Sequence, residues 1–263
     1  MGDSKPIIAL LIPTYNNDFI LDQCLDYISW LNPQPSWYIF AENNSTDATM
    51  SVLFDWKMKH PNTKIIRLWF KPDAIKQLGN PYAIIGIMRQ FLLMKARTLN
   101  VDFAIFVDDD ILLADKNFLP RITKHKKDLV GGAYFRSYPK GNLLSYLAFN
   151  TYKNKNSHPY RLRNFQMFKL SKVAAISGGC MCISKKLLMD TRANFYPIPD
   201  HYNTGHAGED FAYCVTARDL GYEVWVDDTF RICHFQDHEA RPWRKAVGSD
   251  DYIEFEYGRP KQK

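Results

Sequence analysis

Three features of this 263-residue chain predict an α/β fold: one domain on a mostly parallel, Rossmann-like central sheet with helices on both faces. Short apolar runs alternate with amphipathic segments through the first half. The runs begin roughly 30 residues apart, the length of one strand–helix–strand unit. Three of them stop abruptly in polar clusters, as strands do where an open sheet presents its carboxyl edge to a ligand.

The elements follow in order. Residues 7–12 are continuously apolar, as in a strand buried on both faces, and stop at Pro13. In 19–31, Ile20, Cys24, Tyr27 and Leu31 fall on one helical stripe. Residues 37–41 read as a second strand, and Asp47 caps a helix reaching 59. Residues 64–70 predict a third strand, 82–99 a long apolar helix, and 103–107 a fourth strand ending in Asp108-Asp109-Asp110. Beyond it the pattern loosens. Residues 129–135, 173–176 and 180–183 read as strands, and 136–172 as loop with a short helix at 143–150. Residues 209–220 predict a helix closed by Gly221 at its C′ position. Residues 224–226 and 230–233 read as strands, and 236–263 as a tail without elements.

With 46% hydrophobic and 24% charged residues, the composition fits a globular chain and excludes collagen, coiled coil and disorder. No apolar run nears the ~20 residues of a membrane span. The first residues carry no signal-peptide pattern, so the expected location is the cytoplasm, or the host cytoplasm for a viral protein. Cys24, Cys180, Cys182, Cys214 and Cys233 are odd in number, scattered and without a CxxC pair, which predicts buried reduced thiols.

The polar clusters carry the chemistry. They are Pro13-Thr14-Tyr15-Asn16-Asn17, then Glu42-Asn43-Asn44-Ser45-Thr46-Asp47, then Asp108-Asp109-Asp110. Capped turns would account for the first two. Three adjacent carboxylates repel one another, and a divalent cation with a preference for hard oxygen ligands is the simplest reason to gather them.

This succession resembles the GT-A glycosyltransferases, especially their large inverting, family-2-like branch. A strand ending in Pro-Thr-Tyr-Asn is followed by an acidic-Asn-x-Ser-Thr-Asp turn and a strand ending in Asp-x-Asp. Ser177-Gly178-Gly179-Cys180 resembles that family's Gly-Gly segment. Gly208-Glu209-Asp210-Phe211, with Gly221-Tyr222 and His234, resembles its Gly-Glu-Asp helix and late histidine. Glu42 departs from the pattern, since the family often has Asp there. The resemblance implies a GT-A catalytic domain over 1–235, with a donor-binding half at about 1–115 and an acceptor-side half at about 116–235.

It also implies roles. Asp110 and His234 would hold Mn²⁺ or Mg²⁺ with Asp108, and imidazole favours Mn²⁺. Pro13, Thr14, Tyr15, Asn17, Glu42, Asn44 and Gly179 would line the donor site, a nucleotide-diphosphate sugar with UDP-sugar favoured. Asp108 and Asp109 would face the ribose or sugar. Asp210 would be the general base that takes the acceptor's proton from the face opposite the leaving nucleotide, implying inversion. Glu209 would orient the acceptor.

Net charge is +6, but residues 129–189 contain ten Lys and Arg and no acid, with nine aromatics between them. Basic groups interleaved with rings suit a phosphate backbone and its bases. Arg136, Lys153, Lys155, Arg161 and Arg163 are the acceptor-side candidates. Hydroxymethylated pyrimidine in DNA is one acceptor of this kind, and a glycan or a lipid-linked saccharide on an anionic membrane are the others. Two rival classes stand beside the transferase. A nucleotidyltransferase would need a Gly-rich turn after the first strand, where this chain has Pro-Thr-Tyr-Asn-Asn. A non-catalytic nucleic-acid-binding module would leave Asp108–Asp110 and Glu209-Asp210 without a purpose.

Overall fold

The computed structural model describes residues 5–70, 83–136, 170–195, 208–230 and 232–236, with backbone alone at 135–136 and 236 and in short strand pieces at 145–146, 148–149, 239–240, 255–256 and 259–260. Strand β1 (Ile8–Thr14) leads to helix α1 (Asp18–Trp30), β2 (Trp37–Asn43), α2 (Thr49–Lys59) and β3 (Thr63–Leu68). Helix α3 (Ala83–Thr98), β4 (Phe103–Val107), β5 (Ile111–Leu113), α4 (Phe118–Lys124) and β6 (Leu129–Gly132) follow. The second half holds β7 (Phe135–Arg136), β8 (Ser145–Tyr146), β9 (Ala148–Phe149), β10 (Leu170–Val173), β11 (Ala175–Ile176) and β12 (Cys180–Ser184). It continues through α5 (Lys185–Met189), α6 (Glu209–Asp219), β13 (Val224–Asp227), β14 (Ile232–Gln236), β15 (Glu239–Ala240), β16 (Phe255–Glu256) and β17 (Arg259–Pro260).

Eight strands form the main sheet in the order β10-β13-β6-β12-β4-β1-β2-β3. Four of its seven pairings are parallel: β1 with β2 and β4, β2 with β3, and β6 with β13. The antiparallel ones surround β12 and end at β10. The sheet is therefore parallel in its first half and mixed in its second.

Period-two alternation sends successive side chains to opposite faces, and the core divides accordingly. Ile8, Leu10, Ile12, Tyr38, Phe40, Ile105 and Val107 pack against α1, α2 and α4. Ala9, Leu11, Ile39, Ala41, Ala104 and Phe106 pack against α3, α5 and α6. Burying each large side chain on these faces contributes about 1.5–3 kcal/mol.

Helix α6 ends as its sequence predicts. Gly221 has φ +88°, its N–H donates to Arg218 O at 2.9 Å, and Tyr222 N–H donates to Ala217 O at 3.0 Å, the two bonds of a Schellman ending. Asp47 does its capping from one residue further out: the N-cap is Ala48, and Asp47 Oδ1 accepts from Thr49 N–H at 3.0 Å.

Other expectations are corrected. The short helix expected at 143–150 is not what the described residues there form: Ser145–Tyr146 pairs with β7, and Ala148–Phe149 pairs with β11. Long-range pairing overrides local preference at such positions. The expected element-free tail contains β15, β16 and β17. The expected strand at 230–233 runs instead over Ile232–Gln236. Its partner β5, and helices α4 and α5, had no counterpart in the pattern.

Candidate active site

Because β1, β2 and β4 run parallel, Thr14, Asn43 and Val107 finish at one edge of the sheet. Strand β12 runs the other way, with Cys180 opposite Val107, so the turn before it stands at the same edge. Asp108 N–H donates to Gly179 O at 3.1 Å across this junction. Helix α6 arrives with its N-terminus at the same place, where Gly178 N–H donates to Asp210 Oδ2 at 2.9 Å. Asp108, Gly179 and Asp210, separated widely in sequence, thus meet.

Neither glycine of the turn tolerates a side chain. A Cβ at 178 would lie 2.7 Å from Arg89 Cζ, and one at 179 would lie 2.3 Å from Tyr134 Oη and 3.0 Å from Asp108 Oδ2. Tyr134 is buried, shares a 2.6 Å hydrogen bond with Ser177 Oγ, and lays its ring 5.6 Å from that of His234.

His234 reaches the acids through strand pairing. Strand β14 runs antiparallel to β5 with His234 opposite Ile111, and Phe235 N–H donates to Asp110 O at 2.7 Å. His234 Nε2 lies 3.0 Å from Asp110 Oδ2. Asp110 Oδ1 and His234 Nδ1 are buried and have no hydrogen-bond partner among the described residues. A buried carboxylate oxygen without a donor is an atom that a cation would satisfy. Two ligand atoms on adjacent corners of an octahedral cation, with bonds of about 2.1 Å, stand about 3 Å apart. Nε2 and Oδ2, 3.0 Å apart, match that spacing, and Oδ1 of the same carboxylate is the oxygen still without a donor. No third His, Cys, Asp or Glu among the described residues joins them as a ready cage.

Asp108 and Asp109 are placed differently. Asp108 Oδ1 accepts from Arg89 Nη2 at 2.7 Å. Burial and then the Asp110 charge push the Asp109 carboxyl up to about 8, against the pull of the Thr14 and Asn17 side chains. Asn17 Nδ2 also donates to Asp109 O at 3.4 Å.

Glu209 and Asp210 differ in environment. Glu209 is buried, and burial followed by the Asp210 charge pushes it up to about 7, with Arg89 pulling the other way. Asp210 is half-buried. Its Oδ1 accepts from Phe211 N–H at 2.6 Å and its Oδ2 from Gly178, so two backbone donors orient it while lone pairs remain on both oxygens.

Arg89 joins these groups and was missed in the sequence. Its Nε donates to Glu209 Oε1 at 3.0 Å, Nη1 to Gly178 O at 3.0 Å and Nη2 to Asp108. The available signal was a charged residue on the stripe of α3 that also carries Leu92, Leu93 and Ala96, a placement an arginine rarely has without buried acids opposite.

The turns after β1 and β2 are stitched together. Asn16 N–H donates to Ser45 Oγ (2.9 Å), Thr46 N–H to Asn16 Oδ1 (2.7 Å), Asn17 N–H to Thr49 Oγ1 (2.9 Å) and Asp18 N–H to Asp47 Oδ2 (3.2 Å). Asn16 and Asn44 both take left-handed φ, at 46° and 49°. Pro13 and Thr14 are buried in β1, and Tyr15 stands 52% exposed, its ring open to a stacking partner. Glu42 is fully buried; Oε1 accepts from Ser45 N–H and Oε2 from Arg67 Nε at 3.3 Å. Both oxygens thus already have protein partners, and the carboxylate braces its own turn.

Of the acceptor-side candidates, Arg136 is described by its backbone in β7, and Lys153, Lys155, Arg161 and Arg163 lie outside the described residues. Within the same basic segment, Lys172 pairs with Glu223 at 2.6 Å and Lys186 with Asp128 at 3.4 Å, both acids lying outside the segment. Tyr134, one of the interleaved aromatics, is core. All five cysteines are buried thiols, none joined in a disulfide. No described helix is long and apolar enough to cross a membrane.

The fold has solved counterparts. The A197 protein from STIV superposes with a TM-score of 0.52 at 12% identity, covering 95% of this chain and 98% of that one. Residues 1–349 of TarS from S. aureus give 0.55 at 19%, covering 84% and 58%. GalNAc-T7 with UDP, GalNAc and Mn²⁺ gives 0.59 at 14%, covering 93% and 46%. The chain therefore spans nearly all of the first and about half of the other two. No curated protein matches it in sequence. The model of glycosyltransferase-like family 2 matches residues 6–241, most of the chain, and the chain belongs to that family of glycosyltransferases.

Proposed function

We propose that this glycosyltransferase moves a sugar from a nucleotide-diphosphate donor, a UDP-sugar for preference, to an acceptor hydroxyl with inversion, in a reaction dependent on Mn²⁺ or Mg²⁺. The observation that carries the reading is the meeting at one sheet edge of Asp108, the Asp110–His234 pair, the Gly178-Gly179 turn and Asp210. Asp110 and His234 would hold the cation, leaving its other positions to donor phosphates and water, the usual arrangement for a cation bound by one or two protein ligands. Bound there, it would supply Lewis-acid stabilisation of the departing diphosphate. Tyr15 would stack on the base. Asp210, fixed by two backbone N–H groups, would take the acceptor proton. TarS 1–349 has been solved with UDP and with UDP-GlcNAc, and GalNAc-T7 with UDP and Mn²⁺, which supports a uridine donor.

For the acceptor, the acid-free stretch 129–189 supports a polyanion, with hydroxymethylated pyrimidine in duplex DNA as the first to try. The pairing of Lys172 and Lys186 with acids outside the stretch favours a second reading, a neutral glycan, because it removes two cations from the field. Hydrolysis of nucleotide sugars by the purified protein, with Mn²⁺ and then with chelator, tests the donor half. Activity that chelator leaves untouched would remove the cation, and absence of hydrolysis or transfer with every nucleotide sugar would remove the reading.

A further inference from the structure

Among the described residues Arg89 is the one buried cation. Its three donor nitrogens each hold a different acceptor, and the acceptors belong to three different elements: Asp108 after β4, Gly178 before β12 and Glu209 at the start of α6. The Gly178 peptide is gripped from both sides, its C=O by Arg89 and its N–H by Asp210. The planar fork suits this task, whereas a lysine ammonium is a single point charge that reaches one or two of these acceptors. The missing space for a Cβ at 178 keeps the contact close.

We infer that Arg89 is a positioning residue that couples the donor end of the cleft to its base. It fixes the Asp108 carboxylate and the Gly178 peptide in one frame, and through Gly178 it sets where Asp210 stands. Donor seating and base placement then change together. A change at Glu209, on the base helix, releases one nitrogen of the fork and is felt at Asp108 through the shared guanidinium. This inference rests on the donor and base roles proposed above.

The test is a double-mutant cycle. Asp108→Ala and Glu209→Ala are made singly and together, in the wild-type chain and alongside Arg89→Lys, and the UDP dissociation constant is measured by calorimetry with Mn²⁺ present. With Arg89 in place, the joint effect should depart from the product of the single effects by about threefold or more. Alongside Arg89→Lys that departure should vanish. A staple that serves stability alone would lower the melting temperature and leave the two effects independent. Independence in the wild-type chain therefore overturns the inference. If Arg89→Lys fails to fold, the wild-type cycle decides by itself. A wild-type protein that binds no nucleotide with Mn²⁺ or Mg²⁺ overturns the donor reading and this inference with it, whereas nucleotide binding with independent effects overturns this inference alone.

Discussion

Substituting Gly179 by alanine measures how tightly the site is built. The added methyl would lie 2.3 Å from Tyr134 Oη, whereas a comfortable contact is about 3.5 Å, so the phenol must retreat by roughly 1 Å. Tyr134 is 3% exposed, and its hydroxyl is held by Ser177 at 2.6 Å. Overpacking of this kind costs about 1–3 kcal/mol, and loss of the buried hydroxyl pair adds about 1 kcal/mol. We expect Gly179→Ala to lower the unfolding free energy by about 2–4 kcal/mol, read from equilibrium urea denaturation. Tyr134→Phe removes the first contact and leaves the ring carbon Cζ at 2.9 Å, so relief should be partial. Alone it should cost about 1 kcal/mol, and in the double variant it should recover about 1 kcal/mol of the Gly179→Ala loss. A loss below about 0.5 kcal/mol for Gly179→Ala, or additivity of the two changes within that margin, would refute the packing argument.

Four further outcomes follow from the site. Asp110→Asn should leave unfolding free energy within about 1 kcal/mol of wild type while abolishing the rise in melting temperature that Mn²⁺ confers; a rise that survives removes Asp110 from the cation site. Asp210→Asn should slow transfer by roughly 10²–10⁴ with UDP affinity nearly unchanged, and a collapse of that affinity instead would make Asp210 a donor contact. Glu209, raised to about 7, binds a proton in the folded state that the unfolded chain has released above its ordinary value of 4.5. Its contribution therefore lowers stability as pH rises between those values, and Glu209→Gln should flatten the slope; an unchanged slope assigns it to other groups. Reversing charge at Lys153, Lys155, Arg161 and Arg163 should raise the acceptor KM, and binding of a duplex acceptor should weaken with salt at a slope near −0.9 per phosphate neutralised. Salt-insensitive transfer to a neutral saccharide, indifferent to those reversals, would exclude the polyanion.

Strands β1, β2 and β4 were legible because both faces of each are covered, which leaves unbroken apolar runs such as Ala9 to Ile12. Strand β5 was not, and β14 was expected two residues too early, because the pairing that sets their bounds runs across the chain rather than following any local period. The acids, the Gly-Gly turn and the α6 N-terminus could be named from their types and order. Their partners could not. Nothing near Tyr134 in sequence announces that its hydroxyl meets Ser177, and nothing near Glu42 announces that Arg67, opposite it in β3, donates to its carboxylate. Arg89 stood between these cases, visible as an anomaly on an apolar helix but without a visible destination.

The pairing of β5 with β14 has a consequence for the order of assembly. Asp110 emerges from a ribosome early, on the heels of β4, and strands β1 to β4 need nothing beyond it to pair. Its histidine arrives only when β14 does, after a loop of more than a hundred residues has closed, and loops of that span form late because their closure entropy precedes any contact that rewards it. A growing chain therefore carries its acids through more than a hundred further residues without the imidazole that completes the pair. The Asp110–His234 site is a product of finished folding, and a protein with that pair in place has already brought β14 home.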